Sequence, residues 1–150
     1  MTLEETLNEL LVKLFKDILE IESKCLITEE FKDISYNDMH IIEAVGLGEG
    51  NNMTTIAKKM KITVGSLTTS MNSLVKKHYV ERNRSEEDRR IVNITLTEKG
   101  IKAYKHHEEF HHEMIAQIKS QLTEQETPIL IYALAKLADY FHLVYKGEKE

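Results

Sequence analysis

The chain has one proline, one cysteine and six glycines in 150 residues, and no uninterrupted apolar run of the about 18 residues that a membrane-spanning helix needs. Cys25 is alone and cannot staple the chain internally, which agrees with a reducing compartment. No charged-then-apolar leader opens the sequence, so the expectation is a cytoplasmic protein with no membrane partner. Scarce Pro and Gly, set among long stretches of good helix formers, favour helices over a sheet-rich fold. Enzyme signatures are missing as well: there is no Gly-rich phosphate loop, no G-x-S-x-G, no H-E-x-x-H and no nucleophile motif around Cys25. An enzyme is therefore not expected. No internal repeat or low-complexity linker divides the chain, and 41% hydrophobic content suffices for a core, so residues 1–150 are read as a single domain.

What is present begins with an uneven charge. The formal net charge is −5, yet residues 1–52 carry 4 basic and 12 acidic side chains, residues 53–100 carry 10 and 5, and residues 101–150 carry 6 and 8. Phosphates respond to the local face presented to them, so a basic middle between acidic ends is compatible with double-stranded DNA and limits non-specific sticking.

Apolar periodicity places the helices. Leu3, Leu7, Leu10, Leu14, Ile18, Ile21 and Cys25 recur every three or four residues, which predicts one amphipathic helix from about 3 to 26. Ser35 with Asp38 forms a capping-box start for a second helix carrying Met39, Ile42 and Val45 inward and ending at the Gly46–Gly50 loop. A more polar helix between Thr97 and Gln121 has Ile101, Tyr104, Phe110, Met114 and Ile118 as its packed side. A last one follows the Thr123–Glu126 box, with Pro128 near its first turn and Leu130, Leu134, Leu137, Phe141 and Val144 on one face. Long outer helices with wide apolar stripes predict an isologous homodimer.

Residues 54–77, TTIAKKMKITVGSLTTSMNSLVKK, divide into a short helix, a tight connection at Lys61–Thr63 and a second helix from Val64. Ile56, Ala57 and Met60 face inward from the first, and Val64, Leu67, Met71 and Leu74 from the second. Thr54 and Thr63 are the expected N-caps. The outward side of the second helix is polar but hardly charged: Gly65, Ser66, Thr68, Thr69, Asn72, Ser73, then Lys76. A solvated helix would carry more Glu and Lys. Short hydroxyl and amide side chains instead let a helix lie deep in the major groove, where Asn pairs with adenine, a Thr methyl meets thymine and hydroxyls reach phosphates. Lys76 and Lys77 are expected on the DNA backbone. The plainer alternative is a helix that only caps a core.

Two strand-like runs follow, YVERNR (Tyr79–Arg84) and IVNITL (Ile91–Leu96), and between them stands RSEEDRR, residues 84–90, with six charges in seven positions. The order helix, turn, helix, strand, charged tip, strand is a winged helix, mainly α with a small β-hairpin wing (α+β). Its tip can reach the neighbouring minor groove, where concentrated negative potential attracts Arg. Arg90 is assigned to the groove, Arg89 to a phosphate or to the neighbourhood of Asp88, Asp88 to bracing an Arg, and Arg82 and Arg84 to secondary phosphate contacts.

The element order, the Asp88-Arg89-Arg90 run and the following LTEKG (Leu96–Gly100) resemble the MarR family of bacterial winged-helix regulators over nearly the whole chain. The resemblance implies a homodimeric repressor on a pseudo-palindromic promoter site, with residues 35–97 binding DNA and long helices at 1–26 and 98–146 dimerising. FKDISYNDMH (Phe31–His40), TVGSLTTSMNSL (Thr63–Leu74), RSEEDRR and HEEFH (His107–His111) are similar to the branch that represses fatty-acid biosynthesis genes. That similarity implies a long acyl chain on acyl carrier protein as effector, for which Ile21, Cys25, Met39 and Phe110 are the candidate lining.

HHEEFHH, residues 106–112, supports a rival reading. His107 and His111 stand one helical turn apart and could bind zinc with Cys25, His40 and Glu108 if the fold gathers them, as some members of the same family do with His on this helix. The favoured reading has these histidines solvated or hydrogen-bonded near a hinge, with no cofactor. A zinc-responsive regulator of the same type and a helical interaction module that does not bind DNA stand as the alternatives.

Overall fold

A computed structural model of the chain describes residues 1–148. Its elements are α1 (Leu3–Leu26), a 3₁₀ turn (Glu29–Phe31), α2 (Tyr36–Val45), β1 (Asn51–Asn52), α3 (Met53–Met60), α4 (Val64–Lys76), β2 (Val80–Arg84), β3 (Val92–Leu96), α5 (Glu98–Gln121) and α6 (Glu126–Glu148). This is a winged helix-turn-helix, mainly α with one small antiparallel sheet. Two compact units divide it, Met1–Phe110 and the residues from His111 onward.

Side chains acting three residues away set most helix starts. The Thr2 hydroxyl accepts from the Glu5 amide at 3.1 Å while Glu5 accepts from the Thr2 amide at 2.7 Å. The expected boxes at Ser35–Asp38 and Thr123–Glu126 form in the same way. Thr63 caps α4, accepting from the Ser66 amide at 3.1 Å. Thr54 does not cap α3. That position belongs to Asn52, whose side chain accepts from the Thr55 amide at 2.8 Å. Asn52 has the extended backbone a cap needs (φ −79, ψ 164) because it also ends β1.

β1 is a strand the periodicity did not predict, since two asparagines carry no alternation. It makes the sheet three-stranded, in the order β1-β3-β2, with Asn51 opposite Ile94 and Asn52 opposite Asn93. Between α3 and α4 the backbone turns at Lys61, which adopts the left-handed conformation (φ 57), and the Ile62 amide bonds back to the Ala57 carbonyl at 3.1 Å.

The core of the first unit lies where α2, α3, α4 and the sheet meet. Met39, Ile42, Ile56, Leu67, Met71, Leu74 and Ile94 are fully buried, with Val45 and Ala57 nearly so. Val64, expected inside, is exposed, as is the whole stretch from Lys61 to Ser66 around the start of α4. On α5 the buried positions are Gly100, Ala103 and His107, while Ile101, Tyr104 and Phe110 are half-buried and Ile118 is exposed. Small residues at this spacing let the helix approach closely: a Cβ on Gly100 would stand 2.1 Å from the Tyr79 carbonyl oxygen. The apolar stripes of the outer helices remain largely in solvent, with Leu10 60%, Leu14 54% and Phe141 52% exposed.

A polar latch ties the wing base to the segment before α2. The buried Tyr79 donates its hydroxyl to Asp33 Oδ1 at 2.6 Å, and Lys99 Nζ reaches Asp33 Oδ2 at 3.4 Å. The Tyr79 hydroxyl, and then Lys99, hold the Asp33 carboxyl below its ordinary value of 3.8. A depressed carboxylate stabilises the fold above its unfolded pKa, and that contribution is lost as pH falls through the folded value. The stability gap between the parent and Asp33→Asn should therefore be widest near neutral pH, under about 1 kcal/mol because Asp33 is partly solvated, and should close below about pH 4. Urea melts at both pH values check this; a gap independent of pH would remove the carboxylate's role.

Candidate nucleic-acid interface

α4 separates its faces cleanly. Leu67, Met71 and Leu74 are buried, and Ser66, Thr68, Thr69, Asn72 and Lys76 are all exposed. The Thr68 hydroxyl donates to the Val64 carbonyl at 2.8 Å, so that hydroxyl is occupied within the helix and its methyl is the part left for a partner. Ser66 is engaged at the cap, where its oxygen accepts from Thr63 Oγ1 at 3.0 Å. Ser73 is half-buried. So is Lys77, which was expected on a phosphate but whose ammonium donates to the Asp33 carbonyl; its place at the end of α4, turned toward the latch, takes it off the outer face.

In the wing, the Ser85 amide bonds to the Ile91 carbonyl at 2.9 Å and the Ile91 amide to the Asp88 carbonyl at 3.0 Å, closing a seven-residue tip. Ile91 lies in this tip, and β3 starts one residue later. Asp88 grips Arg90 through both oxygens: Nε donates to Oδ1 and Nη2 to Oδ2, each at 3.0 Å, and the Arg90 amide also donates to Oδ1 at 3.1 Å. The Arg90 guanidinium, then its amide, holds the Asp88 carboxyl below the usual carboxylate range. Asp88 thus aims one arginine, and that arginine is Arg90, whose side chain is 90% exposed. Arg89 and Arg84 are exposed beside it.

Arg82 is placed differently. It stands opposite Ile94 in the ladder, so the two side chains share the sheet face turned to the helices, and its guanidinium donates to Asn72 Oδ1 on α4.

A second polar group lies between α1, α2 and α5, inside the first unit. Glu22 is 5% and His107 3% exposed. Tyr36 donates its hydroxyl to Glu22 Oε2 at 2.8 Å, and His107 Nε2 lies 3.0 Å from Glu22 Oε1. Glu43 Oε2 sits 3.5 Å from both His107 Nδ1 and His40 Nδ1. Burial, and then the Glu22 hydrogen bond, push the Tyr36 hydroxyl well above its ordinary range. Ligand atoms of His40, Glu43 and His107 all fall within 4.8 Å of one another. Sequence reasoning named both histidines but missed Glu22, Glu43 and Tyr36. One signal was available: Glu22 stands one turn before the fully buried Leu26 and therefore on the inner side of α1. Cys25 is exposed, and its carbonyl accepts from His106 Nε2 at 2.8 Å. Glu108 is exposed too, so neither joins the cluster. Among the proposed effector residues, Met39 is buried, Phe110 packs at the core margin and Ile21 is 55% exposed.

Residues 24–107, which span the helix-turn-helix and the wing and include all of this polar group except Glu22, match the profile of the family described as transcriptional regulator SarA/Rot. The chain belongs to that family. The match agrees with the MarR-type resemblance, since the family is a MarR-like winged helix. The HTH-type transcriptional regulator YpoP of Bacillus subtilis (strain 168) is 30% identical over 131 residues, covering 87% of this chain and 90% of its own. The crystal structure of Streptococcus pneumoniae FabT in complex with DNA is 35% identical, with a TM-score of 0.87 over 94% of this chain and 99% of that one. The S. aureus MepR–DNA complex is similar at 25% identity and a TM-score of 0.65, covering 86% and 96%. The chain is accordingly a transcriptional regulator with a DNA-binding winged helix, not an enzyme and not a helical module without a role on DNA. No described helix is long and apolar enough to cross a membrane.

Proposed function

We propose that the chain is a repressor that occupies a pseudo-palindromic promoter site as a homodimer. The observation that carries this is the polar outer face of α4 beside a braced wing arginine, on a chain 35% identical to a regulator crystallised on DNA. Residues 35–97 form the DNA-binding part, and the helices at 1–26 and 98–146, whose apolar stripes are exposed in one chain, supply the dimer interface. Each α4 enters a major groove, and the half-sites lie about one DNA turn apart. Asn72 and the Thr68 methyl meet base edges, while Ser66, Thr69, Lys76, Arg84 and Arg89 serve the backbone. Arg90 enters the adjacent minor groove.

Gel shifts with the promoter region upstream of its own gene test the reading. A salt-sensitive, sequence-dependent shift is expected, and its absence under every effector condition would sink the proposal. Arg90→Ala should weaken binding at least about tenfold and lower the salt slope by about 1. Asp88→Ala should weaken it less and leave the slope in place, because the charge remains but is no longer aimed. Equal binding by both variants and the parent would remove the wing's role.

For the effector, similarity to FabT supports control of fatty-acid biosynthesis genes, with a long acyl chain on acyl carrier protein strengthening DNA binding through the region of Ile21, Cys25, Met39 and Phe110. A second reading rests on the buried polar group. His40, Glu43 and His107 present two imidazole nitrogens and a carboxylate oxygen, a donor set that suits Zn²⁺, with Glu22 orienting His107 from its other nitrogen. A thermal-shift panel of acyl carrier protein, its acylated form and Zn²⁺, read alongside DNA affinity, separates the two. Zinc that changes neither stability nor affinity removes the metal reading.

A further inference from the structure

We infer that Arg82 acts as a positioning residue for base reading: it locks the side-chain amide of Asn72 and so determines which base edge the recognition helix selects. The inference rests on the proposal that α4 lies in the major groove. Alternation along β2 carries it. Val80, Arg82 and Arg84 share one face, and Val80 is buried against the core, so Arg82 emerges at the core margin directed at α4. There its guanidinium donates to Asn72 Oδ1.

A guanidinium offers only donors, so it fixes an otherwise ambiguous amide: the oxygen must face the wing and the NH₂ must face away. Asn72 is exposed, and no other hydrogen bond to its side chain occurs among the described residues. The NH₂ is therefore presented outward as a donor in a defined direction, while one lone pair of Oδ1 remains for a base donor beside it. Adenine offers this pair of partners, with N7 accepting and N6 donating. An unlocked amide could turn over and accept where it should donate, and discrimination would fall. Arg82 thus supplies specificity without touching a base, through a single one of its N–H groups.

The two roles leave different traces. Binding would be measured against a panel of sites with every base at each half-site position, for the parent, Asn72→Ala, Arg82→Ala and the double variant, at several salt concentrations. The parent should prefer one base by about tenfold or more at the position Asn72 reads. Arg82→Ala should reduce that preference to within about threefold at the same position, leave the other positions unchanged and add nothing when combined with Asn72→Ala. A uniform loss across all sites with a salt slope lower by about 1 would make Arg82 a phosphate contact and overturn the inference. Asn72→Ala with an intact preference would overturn it too, while leaving the repressor reading standing. A parent without sequence preference overturns both. Arg82 and Asn72 are exposed, so circular dichroism should show all four proteins equally folded.

Discussion

Replacing Gly50 by alanine is expected to cost about 3 kcal/mol or more and to abolish DNA binding at 37 °C, the largest effect among the described glycines. Two penalties coincide there. The backbone has φ +72, a region that L side chains rarely adopt, and an added Cβ would stand 1.8 Å from the Ile94 carbonyl oxygen. That oxygen belongs to β3, whose pairing with β1 holds Asn51 and Asn52 in place. Asn51 donates to the Ala44 and Val45 carbonyls at 3.2 and 3.1 Å, closing the end of α2, and Asn52 caps α3. Pushing β1 away therefore loosens the end of one helix, the start of the next, and through α3 the seat of α4. Gly48→Ala is the control. It has φ +80 but nothing within 4 Å of the added atom, so only the conformational cost of about 1 kcal/mol should appear. Urea melts of the two variants decide it: similar losses would mean that the contact with β3 is not what makes Gly50 necessary.

The second large effect is expected at Glu22. Its carboxylate accepts from Tyr36 and lies against His107, joining α1, α2 and α5 inside the first unit. Glu22→Ala removes the partner of the buried His107 and the acceptor of the half-buried Tyr36 hydroxyl, and a buried polar group deprived of its partner costs more than the bond itself contributed. A loss of about 2 to 4 kcal/mol is expected, with Glu22→Gln intermediate because the amide oxygen can serve Tyr36 while its NH₂ cannot accept. Chemical denaturation of the parent and both variants measures this. A loss below about 1 kcal/mol for Glu22→Ala would show that the cluster is solvated when the protein is in solution.

Much of the fold was legible because its signals are local. The limits of α1 follow from apolar spacing, and the starts of α2, α4 and α6 from oxygens three residues from the amides they cap. The wing was legible from alternation and the charged tip, and the Asp88 brace from the proximity of Asp88 to Arg90 in sequence. Where the reading missed, hydrophobicity was the wrong guide. Two asparagines gave β1 no pattern, and on α5 the closest approach is made by Gly100, Ala103 and His107, which a search for large apolar side chains passes over. The place of Lys77 after the recognition helix points to a phosphate, whereas its engagement with Asp33 depends on a residue 44 positions away.

The sequence alone determined the order of the helices and the two wing strands, the caps of α2, α4 and α6, and the split of α4 into an apolar and a polar face, since each depends on interactions between near neighbours in the chain. Only the tertiary structure decided which polar groups meet: Glu22 with His107 across 85 residues, Tyr79 with Asp33 across 46, and Arg82 of the wing with Asn72 of the recognition helix. No periodicity encodes those pairs. They form because the shared core of α2, α3, α4 and the sheet fixes the positions from which each side chain extends, and burial then leaves each polar group with the partner it finds there.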